Sequence, residues 1–200
     1  MSTNRDKLLT AAEFAILEKG IAATSIDELI AEVGITKNGF FYHFQNKSAL
    51  VHALLQRHLE EEEVWFEQLF QRASRTSDDP LESFLTFLRL LTEDMQNLPN
   101  VHPGCLISAC CYQERLFERD VHDIAAENLL CWRRRFRGEL GAIEAVHPLQ
   151  IPVDLDALAD TLTALIDGAI ILSKVVREKD VLPNQVTIYS QFIRAAFNGV

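Results

Sequence analysis

The run Ser25-Ile-Asp-Glu-Leu-Ile-Ala-Glu-Val-Gly34-Ile-Thr-Lys-Asn-Gly-Phe-Phe-Tyr-His-Phe44 decides the fold. Ser25 with Glu28 three residues on is a capping box and predicts a helix start. Ile26, Leu29, Ile30 and Val33 recur at helical spacing and give that helix one apolar face. Gly34 supplies a position where positive φ carries no steric penalty, as a sharp turn requires. Thr36 is a natural N-cap for a second helix of about two turns. On that helix Phe40 and Phe44 are expected inward, with Lys37, Asn38, Tyr42 and His43 outward. A short helix with a polar, aromatic and basic face, braced by a preceding helix, suits the major groove of DNA. The run reads as a helix-turn-helix.

The surrounding residues extend this pattern. A first helix from about Asn4 buries Leu8, Ala11, Ala12, Ala15 and Ile16 and ends at Glu18-Lys19-Gly20, followed by Ala23-Thr24-Ser25. The turn is Val33-Gly34-Ile35-Thr36, and Tyr42-His43-Phe44-x-x-Lys47-x-x-Leu50 leads into a long fourth helix. Over residues 5 to 58 the chain resembles the TetR family of transcriptional regulators. The resemblance implies an all-α protein of about nine helices. A three-helix headpiece, residues 1–46, would bind DNA; a helical domain, residues 47–200, would bind an effector and dimerise. Phe41 stands where the family usually has a tyrosine whose hydroxyl meets a phosphate, so Tyr42 is the candidate for that bond. Asn38 occupies a place more often held by a small residue.

The candidate DNA-contacting residues follow from this register. Thr36 and Lys37 sit at a helix start, where side chains and free N–H groups meet phosphates. Lys37 can also reach guanine acceptors, and Asn38 can pair with adenine. Gly39 permits close backbone approach. Tyr42, His43 and Lys47 match family positions that contact phosphates or groove edges, and Thr24 and Ser25 add phosphate bonds from the first motif helix.

Charge is distributed to match. The chain of 200 residues carries a net −10. Residues 1 to 58 hold six Lys or Arg and six Asp or Glu, so the rest of the chain carries the whole deficit. Phosphate would be repelled by the acidic body and tolerated by the neutral headpiece. Few headpiece cations imply a moderate salt dependence. The run of 18 apolar residues that a transmembrane helix needs is missing, as is a secretory signal, so the expected location is the cytoplasm. Four cysteines without C-x-x-C spacing do not suggest a disulfide framework or a metal site. Nor do the residues form a nucleophile elbow, P-loop or dinucleotide fingerprint. An enzyme, a metal and a cofactor are not expected.

Beyond the headpiece the chain continues as helix. The fourth helix is expected from Asn46 to about Arg75, some 43 Å. Asp79-Pro80-Leu81-Glu82 signals the start of a fifth. A short sixth helix should follow Pro103-Gly104, and a seventh should run from about Phe117 to Leu140. The last two, about Asp154–Lys179 and Pro183–Asn198, are more apolar than one internal contact requires; in the family the corresponding pair forms a four-helix bundle with a second subunit. The candidate effector-lining residues are Trp65, Phe66, Phe87, Leu91, Met95, Cys105, Ser108, Cys111, Tyr112, Trp132, Phe136 and Asp167, an apolar interior with few polar groups. Gly104-Cys105-Leu106 resembles a segment through which some family members sense oxidants or electrophiles. Cys105 at a helix N-terminus would favour its thiolate. Arg133, Arg134, Arg135 and Arg137 cannot share one helix face and are expected to be solvated and to neutralise the acidic body, with an anionic effector as the alternative. The functional expectation is a homodimeric repressor on a pseudo-palindromic double-stranded operator, released by a small molecule or thiol-reactive effector. The alternative is a helical small-molecule-binding or interaction module whose helix-turn-helix no longer reads DNA.

Overall fold

The computed structural model describes residues 3–111 and 119–198. Within them the chain is helical: α1 (Asn4–Lys19), α2 (Ile26–Val33), α3 (Lys37–His43), α4 (Lys47–Ser74), α5 (Pro80–Gln96), α6 (Leu106–Cys111), α7 (Arg119–Val146), α8 (Leu155–Val176) and α9 (Val181–Asn198). The all-α expectation holds, and the predicted ends of α1 and α4 and the predicted start of α5 fall within two residues of the observed ones. α7 extends past the expected Leu140 to Val146.

Local chemistry sets the ends. Thr3 and Asp6 form a reciprocal capping box at α1: the Asp6 N–H donates to Thr3 Oγ1 at 3.2 Å and the Thr3 N–H to Asp6 Oδ2 at 3.0 Å. At α5, Asp79 accepts from the Glu82 N–H at 3.0 Å, and Pro80 takes the first helical position. Asp154 caps α8 through the Ala157 N–H at 2.9 Å. α8 ends on Arg177 at φ 60°, a left-handed position usually given to glycine.

Packing groups the chain into two compact units, residues 1–61 with 103–128 and residues 62–102 with 129–200. The first has a core of Leu8, Leu9, Ile16, Ile21, Leu29, Phe40, Phe44, Leu50, Leu54 and Leu55. Leu106, Ile107 and Cys110 of α6 and Val121 of α7 belong to this same core. That membership is not readable from local sequence. The second unit is built around Phe66, Phe70, Phe84, Phe87 and Phe136, with α9 packed on both α5 and α8. Tyr189 is buried there and its hydroxyl donates to the Leu158 carbonyl at 2.9 Å; burial pushes the phenol well above its ordinary range. None of the described helices is long and apolar enough to cross a membrane.

Candidate nucleic-acid interface and effector cavity

The helix-turn-helix is assembled from short-range bonds. Ser25 accepts from the Glu28 N–H at 3.1 Å and caps α2. The expected capping box is only half made, because the Glu28 carboxylate pairs with Lys19 rather than turning back to Ser25. That hydrogen bond from Lys19 holds the Glu28 carboxyl below its ordinary value. Gly34 lies at φ 73°, ψ 37°, in the left-handed region, and its N–H donates to the Ile30 carbonyl at 3.0 Å. A side chain here would be strained by the backbone alone, since a Cβ would meet nothing within 4 Å. Thr36 then caps α3 by accepting from the Gly39 N–H at 3.1 Å.

α3 is held by two rings and shows the rest of its surface to solvent. Phe40 and Phe44 are buried as expected, and the Arg5 guanidinium lies 5.6 Å from the centre of the Phe44 ring. Lys37, Asn38, Phe41 and Tyr42 are exposed, Tyr42 to 84%. His43 is half-buried, its ring 5.0 Å from that of Tyr42 in an edge-on contact. Lys37 pairs with Asp27 of α2 at 3.4 Å, and both side chains are solvated enough for the pair to be exchangeable. Gly39 is not required by the free fold: a Cβ there would sit 3.5 Å from Thr36 Oγ1 and 3.6 Å from Ile35 Cβ, ordinary contacts.

Two candidate phosphate ligands make bonds within the protein. Thr24 is buried, and its hydroxyl donates to the Gly20 carbonyl at 3.0 Å. The expectation of a phosphate bond from Thr24 is therefore revised: its side chain satisfies a carbonyl freed at the end of α1 and offers no outward surface. Lys47 is half-buried and donates through Nζ to the Ile21 carbonyl; burial lowers its pKa. Ser25 and Thr36 remain exposed while serving as caps.

In the second unit, Glu63, Phe66 and Glu67 of α4 and Cys131, Trp132, Arg135 and Phe136 of α7 line a cavity of about 290 Å³. Phe66, Trp132 and Phe136, three of the candidate effector residues, meet here at nearly right angles. The Phe66 and Trp132 rings are 4.5 Å apart at 90°, and Trp132 and Phe136 are 5.8 Å apart at 89°. Trp65 stacks on Phe66 and donates its indole N–H to Asp94 at 2.9 Å. Phe87 lies flat against Phe70 at 3.9 Å and, with Leu91 and Met95, is buried in the core. Cys105, Ser108 and Cys111 sit in the unit that contains the headpiece, and Asp167 is half-buried on α8. Tyr112 lies outside the described residues.

The cavity's polar groups were not singled out from the sequence. Arg135 binds Glu67 at 3.2 Å and lies 4.2 Å over the Phe70 ring. Cys131 donates its thiol hydrogen to Glu63 at 3.1 Å; burial, then Glu63, raises its pKa. The signal is the spacing shared by 63, 66 and 67 with 132, 135 and 136, two i, i+3, i+4 stripes on separate helices, with Cys131 beside the second. The arginines stay on the surface and neutralise nearby carboxylates, as expected: Arg133 forks onto Asp160 at 2.7 and 2.6 Å, and Arg137 reaches Asp156 at 3.1 Å. Among the described residues, no three His, Cys, Asp or Glu side chains gather in a metal-binding arrangement.

A capped, glycine-turned helix pair presenting α3 outward is the geometry of a DNA-reading headpiece. The model for bacterial regulatory proteins of the tetR family matches residues 8–54, the span that builds it. Over this span the chain is similar to the TetR family. That similarity is to DNA-binding transcriptional regulators. The transcriptional regulator AcuR of Cereibacter sphaeroides is 25% identical over 90% of this chain and 81% of its own length. The regulator TtgR of Pseudomonas putida is 27% identical over 83% of this chain and 78% of its own length. In fold, the chain is similar to the crystal structure of a TetR regulatory protein from Rhodobacter sphaeroides. The TM-score is 0.75 at 24% identity, covering 95% of this chain and 98% of that one. The similarity in fold thus spans both units of the chain, well beyond the 8–54 match.

Proposed function

We propose that this regulator is a homodimeric repressor, released from a pseudo-palindromic operator when an effector engages its second domain. Residues 1–46 would carry the DNA contacts and residues 47–200 the effector and the partner subunit. The observation that carries the reading is the outward face of α3, where Lys37, Asn38 and Tyr42 stand over a helix fixed by buried Phe40 and Phe44. Lys37 and Asn38 suit base edges, and Ser25, Thr36, Tyr42 and His43 suit phosphates. Lys47 acts at the edge of this set, exchanging its carbonyl partner for phosphate on binding.

Support for a partner subunit comes from the last two helices. Ile171, Leu172, Val175 and Val176 of α8 and Ile188 and Phe192 of α9 are exposed, Val175 to 75%. Being about half exposed, each would forgo about 1 kcal/mol of burial if left in water. Two copies joined there would carry two headpieces, as half-sites one or more helical turns apart require. The aromatic cavity between α4 and α7 is the small-molecule site, and Cys105 offers a thiol-reactive route. Its Sγ accepts from the Ser108 N–H at 3.5 Å as α6 begins. α4 is a single helix of 28 residues that contributes to both units, so an effector that shifts it would alter headpiece spacing.

A salt-titrated binding assay with the DNA upstream of the protein's own coding region tests the reading. A specific complex at low salt, weakening as salt rises, is expected. No specific complex at any salt would leave a helical small-molecule-binding module with a vestigial helix-turn-helix. A Cys105→Ser protein separates the two effector routes: loss of release by an oxidant or electrophile assigns sensing to the thiol, and unchanged release assigns it elsewhere.

A further inference from the structure

Phe41 is out of place on the outward side of α3. Its ring is 45% exposed, while Phe40 before it and Phe44 after it are buried. With about 100° between successive helical residues, Asn38 and Tyr42 point furthest from the core. Phe41 flanks them on the side shared with Lys37, one turn earlier. The ring does not swing freely, because it meets Phe40 edge-on with centroids 5.4 Å apart at 88°. A hydrocarbon ring is thus held among side chains that otherwise offer an ammonium, an amide and a phenol.

Chemistry limits what such a ring can recognise. Phe41 has no hydroxyl, so it can bond neither a phosphate oxygen nor the nitrogen and oxygen atoms of a base edge. The major groove displays one hydrocarbon group, the C5-methyl of thymine, and apolar side chains read it by contact. We infer that Phe41 is a specificity-determining residue that packs on a thymine methyl in each half-site, beside the bases read by Lys37 and Asn38. The inference rests on the DNA-binding reading of α3 and adds to it a named base and a named atom.

Replacing thymine by uracil removes that methyl and leaves the pairing edge intact. The test begins with full-length protein and a randomised duplex pool, from which bound sequences are enriched. In an enriched duplex each thymine is then replaced, one at a time, by uracil. One thymine per half-site should weaken binding about fourfold on replacement, the worth of one buried methyl. A Phe41→Ala protein should bind the thymine and uracil duplexes equally, and Phe41→Tyr, which keeps the ring, should still distinguish them. Because Phe41 is half exposed, Phe41→Ala should unfold at nearly the wild-type temperature, a control for folding. The inference is overturned if no thymine is sensitive in the wild type, or if a sensitive one stays equally sensitive in Phe41→Ala. A uniform weakening of all duplexes by Phe41→Ala would place the ring against the sugar-phosphate backbone and also overturn it. Failure to enrich any sequence would instead remove the DNA reading itself.

Discussion

The headpiece and the effector body solve the same problem, holding a few polar groups over an aromatic core, at very different sequence ranges. In the headpiece Ser25, Gly34, Thr36, Phe40 and Tyr42 lie within one run of 20 residues, and each cap closes over three positions. In the body the cavity joins Glu63, Phe66 and Glu67 to Cys131, Trp132 and Arg135, and Cys131 meets Glu63 across 68 positions. The candidate DNA-reading surface is therefore local, while the aromatic cavity exists only after the helices have packed. A family can keep the first nearly constant and vary the second through scattered substitutions.

The largest expected effect would break the comparison at the headpiece core. Phe40→Ala should cost about 3–5 kcal/mol and abolish operator binding. Both tryptophans, Trp65 and Trp132, belong to the other unit, so their emission should be unchanged at temperatures where the headpiece has lost its structure. Coincident loss of tryptophan emission and headpiece helicity would show that the two cores unfold as one. Next, Gly34→Ala should destabilise by about 1–2 kcal/mol, measured by thermal or urea unfolding, because the turn needs a left-handed residue.

Gly39→Ala sharpens the contrast between folding and reading. It should stabilise the free protein by about 0.5–1 kcal/mol, since alanine is the better helix residue and its Cβ finds ordinary contacts. If the DNA backbone or a base approaches Gly39 closely, the same change weakens operator binding. Raised stability with undiminished binding would show that no such approach occurs. The smallest effect lies in the body, where Asp79 serves both the Glu82 N–H and His147, the latter at 2.6 Å across 68 positions. The bond from the Glu82 N–H, then that from His147, holds its carboxyl below the ordinary value. A depressed carboxylate stabilises the fold above its unfolded-state pKa and loses that contribution as pH falls through the folded value. Wild type should therefore melt above Asp79→Ala at neutral pH, and the gap should close in acid. A gap independent of pH would rule out the carboxylate as its source.

Much of the molecule was legible before folding was considered. The periodicity of Ile26, Leu29, Ile30 and Val33, the caps Ser25, Thr36 and Asp79, and the breakers Gly20, Gly34 and Pro103-Gly104 placed the first five helices and the turn. Thr24 was misjudged because its partner, the Gly20 carbonyl, is exposed only by how α1 ends. Glu28 was assigned to the Ser25 cap because its competitor Lys19 belongs to another helix. The arginines of α7 read as neutralising the acidic body, but their partners could not be named because Asp156, Asp160 and Glu67 lie on α8 and α4.

The sequence by itself determined the helix-turn-helix, its inward rings and its outward polar face, since helical periodicity, caps and a left-handed glycine act within a few residues. Tertiary structure alone decided that α6 joins the headpiece core, that Lys47 is drawn to the Ile21 carbonyl, and that Glu63, Cys131 and Arg135 share a cavity. Those outcomes depend on which helix faces meet. A side chain's partner across 26 or 68 positions is set by packing and desolvation, which no local pattern encodes.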